Sequence, residues 1–159
     1  MPGTVAEHTV CLLVKLGQVA FRLSEDSLED TGLRVRHYSI LQALADNGPQ
    51  PQLGLGTHLR IDPATMAGSL DLLENAGYVT RARDRTDRRR YVVELTPAGT
   101  TALSRVNGKL GLLDTQVFAD LAPADRTALH RILTELASGA TLPTLFDEAR
   151  DRTGSRKES

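Results

Sequence analysis

The sequence from residue 61 to residue 81 decides the fold; it reads IDPATMAGSLDLLENAGYVTR. Asp62 followed by Pro63 is typical of a helix start, because the aspartate caps free backbone N–H groups and proline fits the first helical position. Apolar side chains then recur at helical spacing, at Met66, Leu70, Leu72 and Leu73. Gly77 is typical of the residue that follows a helix. The stretch therefore predicts one helix that begins at Pro63 and ends before Gly77.

A second helix-prone segment comes directly before this one. Its apolar positions are Leu53, Leu55 and Leu59. Two short helices joined by a turn of three to four residues are the helix-turn-helix arrangement. Further upstream, the pattern predicts a helix from about residue 36 to residue 46, and the run NGPQP at 47–51 ends it.

Two β-prone runs follow the pair of helices, at residues 78–83 and 91–95. The loop between them, DRTDRRR at 84–90, is longer than the two to five residues usual in a hairpin. A long and charged hairpin tip is typical of a segment that contacts a binding partner rather than the rest of its own chain. A hairpin directly after a helix-turn-helix predicts a winged helix.

Two further helices are predicted after the hairpin. Thr96 and Pro97 repeat the cap-and-proline signal and open a long helix that runs to about residue 119. Pro123 starts the next helix, for which Ala122 is a weak cap. The side chains predicted to face inward on it are Leu129, Ile132, Leu133 and Leu136.

The first helix-prone segment, from residue 5 to residue 28, is apolar over much of its circumference. One stripe comprises Val10, Leu13, Val14, Gly17, Ala20 and Phe21, and a neighbouring stripe comprises Leu12, Leu16, Val19 and Leu23. A helix of this kind must be covered on more than one side. Because a chain of 159 residues offers little to cover both stripes, we expect a partner subunit.

The positive charge is concentrated in the hairpin. Residues 81–90 hold six Arg and two Asp, a net charge of +4, whereas the whole chain carries −1, so the other 149 residues sum to −5. The near-zero total argues against a nucleic-acid partner only when the charge is averaged over the chain. A solvated charged hairpin is one interpretation. The other is DNA binding, because winged helices place their second helix in the major groove and a basic hairpin reaches phosphates or the minor groove.

The sequence resembles the multiple-antibiotic-resistance (MarR) type of transcriptional regulators from about residue 10 to residue 138. The resemblance rests on IDPATM at 61–66, LENAGYVTR at 73–81, DRTDRR at 84–89 and LTPAG at 95–99. It implies a fold that is mostly α (α+β): a winged helix-turn-helix whose N- and C-terminal helices form the body of a homodimer. It also implies a pseudo-palindromic operator, and commonly a repressor that a small phenolic ligand or oxidation releases.

By this resemblance, two segments supply the DNA contacts. The second helix of the pair supplies Pro63, Ala64, Thr65, Ala67, Gly68 and Ser69, and the hairpin supplies Arg83, Arg85, Asp87, Arg88, Arg89 and Arg90. Arg89 matches a minor-groove arginine of the family, and we expect Asp87 to hold its guanidinium in a forked ion pair. Gly68 stands where many members carry a basic residue, which leaves Thr65 and Ser69 as the main hydrogen-bond donors. We therefore expect weak base readout, with thymine methyl groups, backbone contacts and the hairpin giving more of the affinity.

An effector site is expected where the dimer helices meet the winged-helix lobe. Its candidate residues are Cys11, Lys15, Arg36, His37 and Tyr38, and the expected effector is a small phenolic or other aromatic molecule. A hydroperoxide-sensing branch of the family has a reactive thiol near the position of Cys11. Such a thiol needs donors or positive charge to lower its pKa, and the sequence shows too few of them. We therefore favour Cys11 as a small buried side chain, and oxidation of Cys11 is the alternative.

Other classes of protein are disfavoured. A single cysteine cannot form an internal disulfide, which fits a reducing cytosol. The sequence shows no secretory signal and no apolar run near the ~20 residues of a membrane span. His8 and Cys11 share a helical face, but two candidate ligands do not make a metal site. Because no catalytic motif stands out, we expect a cytoplasmic protein that is not an enzyme and uses no cofactor.

We expect one domain over residues 1–159. Residues 5–34 and 97–149 are predicted to form dimerisation helices, residues 35–96 the DNA-binding lobe, and residues 150–159 a disordered tail. The leading hypothesis is a homodimeric regulator of transcription that binds double-stranded DNA and no membrane. The alternative is a winged-helix module for protein interaction, which the apolar first helix would suit equally well.

Overall fold

The structure is a computed structural model that describes residues 8–155, with the side chains of residues 8–149. The chain divides into two compact units, Met1–Val117 and Phe118–Ser159, where the sequence predicts a single domain. The boundary falls at the end of the long helix that the sequence predicts after Pro97. Each unit is therefore described by itself.

The first unit holds a winged helix-turn-helix between two longer helices. Its helices are α1 (Thr9–Leu28), α2 (Val35–Asn47), α3 (Gln52–Leu59), α4 (Pro63–Asn75) and α5 (Pro97–Val117), with a 3-10 helix at Glu29–Thr31. Its strands are β1 (Gln50–Pro51), β2 (Val79–Arg83) and β3 (Tyr91–Leu95). Helices α3 and α4 are the helix-turn-helix, and the β2–β3 hairpin is called the wing below. The mostly α fold class with a winged helix-turn-helix is confirmed.

The three strands form an antiparallel sheet in the order β1-β3-β2. Val93 in the central strand pairs with Arg81 on one side and with Gln50 on the other. No local signal in the sequence indicates β1, because its two residues lie inside the run at 47–51 that ends α2. Pro51 is compatible with this position, since a strand at the edge of a sheet tolerates a residue without a backbone N–H.

The core of the first unit lies between α2, α4, α5 and the sheet. Its fully buried side chains include Leu28, Ile40, Leu41, Leu55, Met66, Leu70, Leu73, Val79, Val93 and Val106. Of the four apolar residues that recur at helical spacing on α4, Leu72 is 40% exposed, whereas Met66, Leu70 and Leu73 are buried. The other three fix α4 on the core, so its opposite face is presented outward.

Helix α1 presents most of its apolar surface to solvent in the single chain. Leu28 at its C-terminal end is buried, whereas Val10 is 64% and Phe21 58% exposed. The other large exposed apolar side chains of α1 are Leu12, Leu13, Val14, Leu16, Val19 and Leu23. Both stripes that the sequence predicts therefore lack cover within the described part of the chain.

The second unit comprises α6 (Pro123–Ser138) and α7 (Thr141–Ser155). Three of the α6 side chains predicted to face inward, Ile132, Leu133 and Leu136, are 40–49% exposed, so that prediction is wrong for the single chain. Helix α7, which the sequence did not reveal, also places residues 150–155 in a helix rather than in a disordered tail. Residues 156–159 lie outside the described residues.

A single residue, Thr96, connects the wing to α5. The Thr96 hydroxyl donates to the Gly77 carbonyl at 2.6 Å and accepts the Gly99 N–H at 3.0 Å. The Thr96 N–H donates to the Tyr78 carbonyl at 3.0 Å. Thr96 therefore ties the start of α5 to the point where α4 ends and the wing begins.

Candidate nucleic-acid interface

Helix α4 starts at the aspartate–proline pair, as the sequence predicts. The Asp62 side chain accepts the Thr65 N–H at 2.9 Å, and Pro63 occupies the first helical turn. Hydrogen bonds from Thr65 hold the pKa of Asp62 below its usual value. The N-terminus of α4 is therefore a well-formed cap that fixes the first residues of the predicted DNA-reading face.

The burial of α4 reduces that predicted face to four residues, Pro63, Ala64, Thr65 and Gly68, which are exposed and are called the recognition face below. Ala67 is half-buried. Ser69 is only 2% exposed, and its hydroxyl donates to the Thr65 carbonyl at 2.8 Å. The prediction that Ser69 is a main donor to bases is therefore wrong, because its position faces the core. A Cβ placed on Gly68 would meet nothing within 4 Å, so this part of α4 is open.

The tip of the wing, residues 84–90, is folded by its own aspartates. Asp84 accepts both the N–H and the hydroxyl of Thr86 at 2.8 Å, and these bonds lower the pKa of Asp84. The Asp84 N–H donates to the Arg90 carbonyl at 3.0 Å, and the Arg90 N–H donates to the Asp87 carbonyl at 2.9 Å. The long loop is therefore a sequence of hydrogen-bonded turns.

The predicted ion pair between Asp87 and Arg89 is wrong, because the side chain that Asp87 pairs with is that of Arg90. Asp87 accepts the backbone N–H of Arg89 at 3.0 Å, and its other oxygen lies 3.3 Å from Nε of Arg90. The reason is the geometry of the turn, in which an aspartate accepts the backbone N–H of the residue two positions later. Its second carboxylate oxygen is then free to pair with the side chain of Arg90. The Arg89 guanidinium has no ion pair among the described residues and remains exposed.

Two other arginines of the basic cluster brace the hairpin. The Arg83 guanidinium donates to the Arg88 carbonyl at 2.8 Å and lies 4.2 Å from the centre of the Tyr91 ring. Arg81 pairs with Glu74 at 2.6 Å and with Asp71 at 2.5 Å, which ties β2 to α4 and lowers the pKa of Glu74. The guanidiniums that remain exposed without an ion pair in the described chain are those of Arg85, Arg88 and Arg89.

Two of the five predicted effector-site residues line the groove that the structure shows on α1. Cys11 and Lys15 line an open groove of about 370 Å³ on α1, together with Val10, Val14 and Gln18. Cys11 is exposed, so the favoured interpretation of a buried side chain is wrong for the single chain. On α2, Arg36 is exposed, Tyr38 half-buried and His37 buried, and none of them lines this groove.

His37 belongs to the core rather than to a ligand surface. It is 2% exposed, and its Nδ1 accepts the Arg34 N–H at 3.1 Å, which caps the start of α2. Its Nε2 is buried and has no hydrogen-bond partner among the described residues. Burial, with a smaller effect from the Arg36 charge, lowers the pKa of His37. The folded protein therefore favours the neutral imidazole.

We expect the free energy of unfolding to fall as the pH is lowered from 7 to 5. The unfolded state protonates His37 near pH 6.5, whereas the folded state does so only at lower pH, so stability is lost as the pH falls through this window. One proton limits the slope to about 1.4 kcal/mol per pH unit. Urea unfolding at several pH values measures it. His37→Gln, which keeps an acceptor at this capping position, should flatten the slope; an unchanged slope would contradict the assignment.

Two features of other protein classes are absent from the described residues. No helix in this part of the chain is both long and apolar enough to cross a membrane. Within the same residues, no group of three or more His, Cys, Asp or Glu side chains is placed to hold a metal ion.

Known proteins are similar to this chain in sequence and in fold. Residues 33–91 match the model of the MarR family. A protein named as the transcriptional regulatory protein for the hcr operon of Thauera aromatica is 31% identical over 138 residues, which cover 86% of this chain and 80% of that protein. The HTH-type transcriptional repressor NicR of Pseudomonas putida is 27% identical over 135 residues and 85% of each chain.

A solved structure of similar fold contains DNA. The transcriptional repressor CouR, bound to a 23-mer DNA duplex, superposes with a TM-score of 0.76 at 25% identity, over 85% of this chain and 96% of that one. The residues that match the family model, 33–91, include the helix-turn-helix and the tip of the wing, where the exposed face of α4 and the three unpaired arginines lie. On this sequence, fold and geometry, the chain belongs to the MarR family and is a DNA-binding transcriptional regulator.

Proposed function

We propose that this protein is a sequence-specific repressor that acts as a homodimer on a pseudo-palindromic operator and is released by a small molecule. The observation that supports it most is the wing tip, where Arg85, Arg88 and Arg89 are exposed and unpaired beside a helix-turn-helix. In this arrangement, α4 enters the major groove and the wing reaches the phosphates or the adjacent minor groove.

The distribution of charge favours a specific site over general attraction to DNA. Residues 81–90 of the wing carry +4, whereas the other 149 residues sum to −5. An acidic body repels the phosphates of DNA that it does not fit, so the wing guanidiniums supply a large share of the attraction. Their fork-shaped donors suit phosphate oxygens and narrow minor grooves.

The homodimer is supported by the apolar surface that the single chain leaves exposed. Helix α1 exposes eight large apolar side chains, and α6 and α7 expose a further set. Exposed apolar surface of this extent marks an interaction site. A symmetric dimer presents two copies of α4, so its operator repeats a half-site in inverted orientation.

Two further parts of the proposal are that the protein represses transcription and that an effector releases it from DNA. NicR, a relative over 85% of the chain, is named as a repressor. The groove on α1 combines apolar Val10 and Val14 with the ammonium of Lys15, which suits a small aromatic or phenolic effector that bears negative charge. Such a ligand acts by favouring a spacing of the two lobes that misfits half-sites ~34 Å apart. The exposed thiol of Cys11 in the same groove favours oxidation as the second candidate signal.

Selection of bound sites from random duplex DNA tests the proposal. We expect enrichment of two inverted half-sites with centres about 10 base pairs, or a multiple of this, apart. The logarithm of the affinity should fall linearly with the logarithm of the salt concentration. Failure to enrich any sequence would contradict the proposal and favour the protein-interaction module instead.

A further inference from the structure

We propose that α4 reads its half-site through the C5 methyl groups of thymines, with few or no hydrogen bonds from side chains to base edges. This inference rests on the proposed function, in which α4 lies in the major groove. It adds the chemical class of the bases that the helix selects and the residues that select them.

The first argument is the set of side chains on the recognition face. Residues near the N-terminus of a recognition helix make the base contacts. Here they offer the Pro63 ring, the Ala64 methyl group, the methyl and hydroxyl groups of Thr65, and no side chain at Gly68. The hydroxyl of Ser69 is buried and bonded to the Thr65 carbonyl, so it does not reach a base. Almost everything that this face presents is apolar.

The second argument is the absence from this face of residues that recognise purines. Guanine is read by Arg or Lys and adenine by Asn or Gln, through paired hydrogen bonds in the major groove. None of these residue types occurs among the four recognition-face residues. The thymine methyl is the apolar feature of the major groove, and Ala and Thr methyl groups are its usual partners.

The third argument is how closely the backbone of α4 can approach the base edges. Methyl-to-methyl contact needs a close approach of the helix to the base edges, since the favourable separation of two carbon atoms is about 3.5–4.0 Å. Gly68 lacks a side chain, and the space around its Cβ direction is empty to 4 Å. Alanine and glycine at positions 64 and 68 therefore let the backbone of α4 approach the floor of the groove.

The test uses deoxyuridine, which differs from thymidine only by the missing C5 methyl group and leaves the pairing and the minor groove unchanged. Thymines of the selected duplex are replaced one at a time, in the half-sites and, as a control, in the spacer. Loss of one buried methyl group should weaken binding about fourfold at contacted thymines. Replacements in the spacer should leave the affinity unchanged.

Variants of the recognition face assign the effect to residues. In Ala64→Gly or in Thr65→Ser, which keeps the hydroxyl but loses the methyl group, the uracil effect should vanish at one thymine. In Thr65→Val, which keeps a methyl group but loses the hydroxyl, it should persist. Each protein is compared with itself on thymine and uracil duplexes, so a difference in the folded fraction cancels.

The outcomes separate this inference from the function on which it rests. If no duplex is enriched, the proposed function fails. If a duplex is enriched and binds equally well with uracil, or if the uracil effect is unchanged in both Ala64→Gly and Thr65→Ser, the methyl readout fails and the DNA-binding function stands.

Discussion

Replacing Gly99 with alanine is expected to lower the free energy of unfolding by about 3 kcal/mol, at the upper end of the usual cost of overpacking. Gly99 is buried in the first turn of α5. A Cβ there would lie 2.7 Å from Cδ1 of Leu95 and would overlap the carbonyl oxygen of Tyr78. This carbonyl is held in place, because it accepts the Thr96 N–H at 3.0 Å. The added methyl group must therefore force the base of the wing away from α5.

Urea unfolding followed by circular dichroism measures the change. Gly68→Ala is the matched control, because it makes the same substitution in a helix where a Cβ meets nothing within 4 Å. This control should stabilise the protein by about 0.5–1 kcal/mol through helix propensity. A Gly99→Ala protein whose stability lies within about 0.5 kcal/mol of the native protein, the range of an ordinary surface change, would contradict the packing described at this joint.

Replacing Arg89 with alanine is expected to weaken binding to the selected operator by about 1–3 kcal/mol, the range for a good specific contact. The Arg89 backbone is fixed by the Asp87 carboxylate, whereas its guanidinium has no ion pair in the described chain and projects from the wing tip. An exposed guanidinium without an ion pair has no such pair to break before it meets DNA. Equilibrium binding at one fixed salt concentration measures the effect.

Arg131→Ala is the control for charge alone. Arg131 lies on α6 and pairs with Glu135 at 2.8 Å, so the substitution removes one positive charge outside the wing. We expect it to leave the operator affinity nearly unchanged. An Arg89→Ala protein that binds the operator as tightly as the native protein at the same salt concentration would refute the role of Arg89 at the wing tip.

The sequence predicts those parts of the fold that local signals specify. Asp62 with Pro63 and Gly77 mark the two ends of α4, and Thr96 with Pro97 mark the start of α5, because caps and prolines act on the backbone next to them. The wing was found from its two β-prone runs and from the concentration of arginine between them. In each case the deciding residues lie within a few positions of the feature that they specify.

The details that the sequence did not give depend on contacts across the fold. Whether Ser69 faces the core depends on how α4 is rotated against its neighbours, and helical spacing alone left that rotation open. The pairing of Asp87 with Arg90 depends on the turn geometry of the tip, which three successive arginines do not reveal. Strand β1 has two residues and exists only because β3 offers it a free edge. Burial was mispredicted for Cys11 on α1 and for the inward-facing side chains of α6, because no other part of the described chain covers these faces.

The structure also sharpens the meaning of the net charge. The total of −1 conceals a charge of +4 in residues 81–90, and the contacts divide the six arginines of this segment by role. Arg81, Arg83 and Arg90 are engaged in holding the hairpin together. Fewer arginines are therefore available to DNA than the sequence suggests, and we expect each of them to contribute a larger share of the binding free energy.

The central claim, a dimer that binds one symmetric operator, is tested most directly by the mass of the protein–DNA complex. Sedimentation of the protein with the selected duplex, and with a scrambled duplex of the same length and composition, measures it. We predict two chains on one selected duplex and little complex with the scrambled one, because only the symmetric site engages both lobes. One chain per duplex, or equal binding to both duplexes, would contradict the account.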